Sequence, residues 1–172
     1  GFFSAMFRKM FGGENFFLGK YEHPDGGNLT FAPSIPGAVE HYNLSNNHLN
    51  IMAGAFLACT PGVNIKAKFG GLKALFSGEG AFLLEASGDG DLFFNSFGGI
   101  IEKEINGEFI VDTGHVVAFE PSLNYKISGM GNWKSTMLSG EGLVMTFNGT
   151  GKIYLQTRTI DGIASWLTPR LI

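Results

Sequence analysis

Three glutamates recur in one local setting. Glu79 lies in Leu75-Phe76-Ser77-Gly78-Glu79-Gly80, Glu141 in Met137-Leu138-Ser139-Gly140-Glu141-Gly142, and Glu14 in the looser Met10-Phe11-Gly12-Gly13-Glu14-Asn15. Carboxylates gathered around a pore or cleft would form a site for a hard cation. The structural reading is preferred. Each glutamate follows a glycine that ends a short helical segment, where it accepts backbone N–H bonds or pairs with a nearby base (Arg8 and Lys9, Lys73, Lys134). A catalytic acid is needed once, so repetition argues for architecture.

The other candidate chemistry is thinner. Asp89 and Asp91, with Gly88 and Gly90, resemble a fragment of a calcium loop, but no Asp-x-Asp-x-Asp-Gly run or closing bidentate glutamate follows. They read as a turn. His23, His41, His48 and His115 form no HxxxH or HExxH pair, so no zinc site is expected. A Ser–His–Asp site would have to combine Ser77, His115 and Asp112. Ser77 lacks the Gly-x-Ser-x-Gly elbow and Asp112 shares a segment with His115. No phosphate-binding or dinucleotide loop appears. The best groups for stacking and pairing with single-stranded nucleic acid are Lys66, Lys68 and Lys73 with Phe69, and Lys126 and Lys134 with Trp133. No catalytic residue, metal ligand or cofactor is assigned.

Composition sets the frame for these residues. The 172-residue chain has 44% hydrophobic and only 16% charged residues, against about 25% charged in ordinary soluble domains. Its 26 glycines and 17 phenylalanines suit strands and turns. A net charge of -3 disfavours a protein dominated by phosphate-backbone contacts. The single cysteine, Cys59, makes an internal disulfide impossible and is expected to be a buried thiol. No apolar run reaches the ~18–20 residues of a membrane span, and no signal peptide is apparent. The expected compartment is cytoplasmic.

The elements are expected to be β after an opening helix over residues 2–11, ended by Gly12-Gly13. Three hairpins are predicted. They are Phe16–Tyr21 with Asn28–Ala32, Ala81–Ala86 with Asp91–Ser96 around Gly88-Asp89-Gly90, and Leu143–Phe147 with Lys152–Thr157 around Gly149-Thr150-Gly151. Asn46-Asn47 and Asn106-Gly107 read as further hairpin turns, the latter between strands Ile100–Ile105 and Glu108–Val111. A short helix over Gly162–Leu167, ended by Pro169 and anchored by Trp166, closes the chain.

The stretch from Gly54 through Pro61 to Lys66 matches that from Gly114 through Pro121 to Lys126, which sets a repeat of about 60 residues, too long for a simple solenoid. Gly54 and Gly114 are expected where a Cβ does not fit, at a bulge or close crossing. The boundaries are 1–49 for a partial first repeat, 50–109 for the second and 110–172 for the third, in one compact unit. By this register the Gly-x-x-x-Ala-x-x-Pro half of the first repeat would lie before Gly1.

Gly54–Pro61, Gly71–Leu84, Ile110–Pro121, Ser139–Val144 and Leu155–Arg158 together resemble the TRAP-like family of β proteins related to a mitochondrial-biogenesis factor, a family of unknown function. The resemblance implies a double-stranded β-helix, or flattened β-barrel, built from tandem repeats, in a fold whose members tend to form rings. The name-giving relative of that fold binds tryptophan and RNA, and no motif here carries that activity over. The expected function is a non-enzymatic scaffold or interaction module with peripheral membrane contact. It is expected to work as a homo-oligomer, with a trimeric ring favoured. The rivals are a single-stranded nucleic-acid binder, disfavoured by the charge, and a small-ligand barrel or enzyme.

Overall fold

Alternating apolar and polar side chains build long strands here. A computed structural model describes residues 18–69, 82–129 and 143–171. Its strands are β1 Val39–Met52, β2 Phe56–Cys59, β3 Val63–Phe69, β4 Phe82–Asn95, β5 Ile100–Asp112, β6 Val116–Phe119, β7 Asn124–Gly129 and β8 Leu143–Gln156, and one helix, α1 Ile160–Leu167, follows them. Three-residue 3-10 turns, Ala53–Ala55 and Thr113–His115, lead from β1 to β2 and from β5 to β6. The same succession of elements therefore runs twice, through residues 39–95 and again through 100–156. The opening segment expected as a helix, residues 2–11, lies outside the described residues, as do Gly78, Glu79, Gly140 and Glu141.

Within each unit the two longest strands pair antiparallel along their whole length. β1 meets β4 from Val39↔Asn95 to Met52↔Leu83, and β5 meets β8 from Ile100↔Gln156 to Asp112↔Val144. The other edge of β4 takes β3 and then β2, and that of β8 takes β7 and then β6. One short joint connects the units: Asn50↔Phe119 and Ile51↔Ala118, between β1 and β6. The path runs β2-β4-β1-β6-β8-β5 and, among the described residues, does not close into a barrel. The expected all-β class holds; the flattened barrel is corrected to an open antiparallel sheet.

The predicted hairpins are also corrected. Gly88-Asp89-Gly90 lies inside β4, Gly149-Thr150-Gly151 inside β8, Asn46-Asn47 inside β1 and Asn106-Gly107 inside β5. Gly88 (φ 112°) and Gly149 (φ 131°) adopt backbone conformations that L side chains avoid, and these bend a strand without reversing it. Each faces a matching irregularity, Asn47↔Gly88 and Gly107↔Gly149, so both strands of a pair bend at one level. In β1 the bend adds a bulge at Asn46 (φ 58°). That extra residue shifts the alternation, which is how Leu44 and Leu49, an odd number apart, both face the core. Residues 28–32 form no strand; only the turn at His23 is present, closed by Gly26 N–H donating to the His23 carbonyl at 3.2 Å.

The core has two clusters that interlock across the joint. Leu44, Leu49, Ile51, Leu84, Leu92 and Phe94 of the first unit pack with Val117, Ala118 and Tyr154 of the second. Ile105, Phe119, Met145, Phe147 and Ile153 of the second pack with Leu83 of the first. Cys59, expected to be buried, is only partly so, and burial pushes its thiol pKa up. Helix α1 starts on Thr159, whose hydroxyl accepts from Gly162 N–H at 3.1 Å, and gives way to a 3-10 turn holding Pro169. Trp166 is no packing anchor. Its ring is exposed and carries the Arg170 guanidinium at 4.3 Å.

Candidate functional site

The two units place a polar cluster at the same position, built by the same backbone. The turn after β2 is Thr60-Pro61-Gly62-Val63 and that after β6 is Glu120-Pro121-Ser122-Leu123. Val63 N–H and Leu123 N–H each donate to the first carbonyl of their turn at 3.1 Å. Proline at the second position presets such a turn, which explains why Pro61 and Pro121 recur. The first turn residue then reaches back to the long strand. Thr60 Oγ1 accepts from Asp91 N–H at 2.8 Å, and Glu120 Oε2 accepts from Lys152 N–H at 2.9 Å.

The facing strand completes each cluster with opposite chemistry. In the first unit His41 Nε2 meets Asp91 Oδ1 at 2.8 Å, Asn43 donates to the same oxygen at 3.2 Å, and the His41 ring stacks on Phe93. In the second, Lys152 Nζ meets Glu102 Oε1 at 2.7 Å. His41 and Glu102 hold equivalent register positions, opposite Phe93 and Tyr154. Hydrogen bonds from His41 and then Asn43 hold the Asp91 carboxyl below its usual range. The Glu102 carboxylate raises the Lys152 ammonium above its own.

Between the clusters, Tyr42 and Tyr154 approach edge to face at 6.3 Å, and Phe94 lies edge to face with Tyr154 at 5.2 Å. Burial first, then the Glu102 carboxylate, raises the Tyr154 phenol; burial and then Glu120 raise that of Tyr42. The charged groups of these clusters are paired within their own unit, His41 with Asp91 in the first and Lys152 with Glu102 in the second. Among the described residues no group of three or more His, Cys, Asp or Glu side chains could hold a metal.

The residues singled out in the sequence are scattered. Lys66 and Lys68 are exposed on β3, and Lys68 pairs with Glu85 of β4. Lys126 is exposed on β7, which pairs with β8. Lys73, Trp133 and Lys134 lie outside the described residues. Gly54 does not meet the expectation for it, since a Cβ there would find nothing within 4 Å. At Gly114 a Cβ would sit 3.1 Å from Asp112 Oδ1 and 3.3 Å from Thr159 Cγ2, a tight fit. His115 Nδ1 contacts the Gln156 carbonyl at 2.7 Å, so it ties the 3-10 turn to β8. Sequence reading missed His41, Tyr42, Glu102, Lys152 and Tyr154 as a set. The match of Thr60-Pro61 with Glu120-Pro121 was its one visible sign.

Comparison with known proteins fits this architecture. The model of the mitochondrial biogenesis AIM24 family matches residues 1–158. An uncharacterized protein of Streptococcus pyogenes serotype M6 is 33% identical over 166 residues, which make up 95% of this chain and 67% of that protein. A crystal structure of a Streptococcus pyogenes protein superposes with a TM-score of 0.71 at 31% identity, covering 81% of this chain and 62% of that one. This chain thus spans less than two thirds of the solved relative's length. On the strength of the family match and these relatives, the chain belongs to the mitochondrial biogenesis AIM24 family.

Proposed function

We propose that the chain is a non-enzymatic scaffold or interaction module of TRAP-like, double-stranded β-helix type, formed by tandem duplication of a β unit. It works as an assembly of copies, a trimeric ring being the leading arrangement, with peripheral contact to a membrane surface. The observation that carries this reading is the pairing within the two polar clusters: His41 with Asp91 and Glu102 with Lys152 satisfy each other. Outside those pairs, large apolar side chains reach solvent, among them Ile101, Tyr125, Ile160, Trp166 and Leu171. A contiguous patch of such groups would favour contact with partners. No described helix is long and apolar enough to cross a membrane.

Light scattering at micromolar concentration tests the assembly. A mass near three times 18.5 kDa is expected, and a single species at 18.5 kDa overturns it. Single-stranded nucleic acid is the second reading, favoured by the equivalent, exposed positions of Lys66 and Lys126. It requires oligonucleotide binding that falls steeply as salt rises, and no binding at low salt ends it.

A further inference from the structure

Helix α1 has no counterpart in the first unit. There the exit Phe97-Gly98-Gly99 runs straight into β5, whereas after β8 the equivalent residues, Arg158-Thr159-Ile160, open a helix. Arg158 N–H donates to the Phe97 carbonyl at 3.2 Å and Thr159 caps the first turn, so the start of α1 is fixed to the sheet.

Ile160, Ile163, Ala164 and Leu167 fall at i, i+3, i+4 and i+7, one stripe of a helix, and Trp166 borders it. Asp161, Ser165 and Thr168 take the other side. A helix of a globular core turns such a stripe inward. Here no residue of α1 is buried: Ile163 is half-buried, while Ile160 is 60% and Trp166 57% exposed. Leu171, just beyond, is exposed as well. Among the described residues the close neighbour of α1 is the 3-10 turn Thr168–Arg170, which continues it. Eight residues are fewer than the roughly 12–15 that an isolated helix needs to be even marginal in water. The stripe therefore calls for a surface to lie against.

The charges indicate which surface. Arg158 and Arg170 stand at the two ends of α1, both exposed, and Asp161 is the single acidic residue between them. This stretch is thus positive in a chain whose net charge is -3. Arg170 holds its guanidinium over the Trp166 ring at 4.3 Å and donates to the Trp166 carbonyl. Tryptophan beside arginine, at the border of an apolar stripe, suits a membrane–water boundary. The indole sits at headgroup level, and the guanidinium reaches phosphates while its stem stays on apolar surface. An apolar protein groove would take the stripe but leaves the arginines at both ends without a role.

We infer that α1 is a lipid-docking element lying in the plane of an anionic phospholipid surface. Ile160, Trp166, Leu167 and Leu171 enter the boundary between headgroups and acyl chains, and Arg158 and Arg170 meet headgroup phosphates. The inference rests on the peripheral membrane contact proposed above and names the element and the lipid class that make it.

The test uses the 172-residue chain and vesicles of phosphatidylcholine with or without an equal share of phosphatidylglycerol, at millimolar lipid. Flotation of the chain with the anionic vesicles, and not with the neutral ones, is expected. Ile160→Ser with Leu167→Ser should cut the partition roughly tenfold or more, and Arg158→Gln with Arg170→Gln roughly fivefold for each arginine. In a Trp133→Phe background Trp166 is the sole indole, and its emission should shift to the blue on anionic vesicles. Unchanged flotation of both double variants overturns α1 as the contact and leaves peripheral membrane contact standing. No flotation with either vesicle overturns both. Equal flotation with neutral vesicles overturns the choice of an anionic surface. Trp166 emission already blue-shifted without lipid, and reverting on dilution as the mass falls, makes a second copy the occupant and overturns the proposal. The substituted side chains are exposed, and the arginine pair decides the matter should the serine pair not fold.

Discussion

Asn50 and Ile110 hold the same place in the two units, yet the polar residue is 6% exposed and the apolar one 57%. Residue type does not decide this difference. Asn50 is covered because β6 of the second unit pairs beside it, while Ile110 lies on β5, which among the described residues ends the sheet. The cores differ in a related way. The second unit packs Phe119 against Phe147 at 5.0 Å, where the first has Cys59 and Ala86. Short of aromatic volume, the first unit takes Tyr154, Val117 and Ala118 from its neighbour. Burial here is shared across the joint, so the halves stand or fall together.

The largest expected effect probes that asymmetry. Phe119→Ala empties a fully buried aromatic site and should cost about 3–5 kcal/mol. Cys59→Ala, at the equivalent place, removes a partly exposed thiol and should cost about 1 kcal/mol or less. Urea unfolding measures both. Equal losses would mean that the β2 edge is as closed as the β6 edge.

The turns after β2 and β6 differ next. A Cβ on Gly62 would fall 1.9 Å from the Asp89 carbonyl oxygen, whereas the second unit carries Ser122 at that position. Gly62→Ala should therefore cost about 1–3 kcal/mol as the backbone gives way, and Ser122→Gly no more than about 1 kcal/mol, chiefly through chain entropy. A Gly62→Ala variant with an unaltered unfolding midpoint would show that the two turns have the same slack.

These comparisons also mark what the sequence could disclose. The recurrence of Pro61 and Pro121 is legible because a turn needs a fixed φ, and the short helix around Trp166 because Pro169 marks its end, while its start on Thr159 came only with the structure. The bends were misread as hairpins. Glycine at positive φ serves a reversal and a bend alike, and only the partner strand distinguishes them. Asn47 facing Gly88 is a fact of register between residues far apart in the chain. The His41–Asp91 and Glu102–Lys152 pairs were hidden for the same reason, and because their chemistry is inverted between the units. No search for a recurring residue type could have aligned them.

A smaller effect separates the 3-10 turns. Asp112 caps its turn, accepting from Gly114 N–H at 2.8 Å, while Met52 at the same place has no side-chain cap. Asp112→Ala should cost about 1 kcal/mol. Met52→Ala should leave the local amide exchange of Ala53–Ala55 unchanged, whereas Asp112→Ala should speed that of Thr113–His115. If both turns loosened equally, the Asp112 carboxylate would not be acting as a cap.

The smallest effect is the most specific, because it sets the two polar clusters against each other in pH. The Asp91 carboxyl is held below its ordinary 3.8 by His41 and Asn43, so the native state binds its proton more weakly than the unfolded chain does. Its contribution is present above that ordinary value and is lost as pH falls through the folded one. Lys152 is raised above its ordinary 10.5 by Glu102, so its contribution is full below that value and is lost as pH rises through the folded one. Tyr154, also raised, adds to this alkaline loss, since the fold resists ionising it. Both ion pairs face solvent, which screens them and keeps the changes small. Asp91→Asn should therefore flatten the acid limb of the unfolding midpoint against pH and leave the alkaline limb alone. Lys152→Gln should do the reverse. Tyr154→Phe should flatten the rest of the alkaline limb. If Asp91→Asn moved the alkaline limb as much as the acid one, the two clusters would be coupled through Tyr42 and Tyr154, and their separation into two independent sites would be wrong.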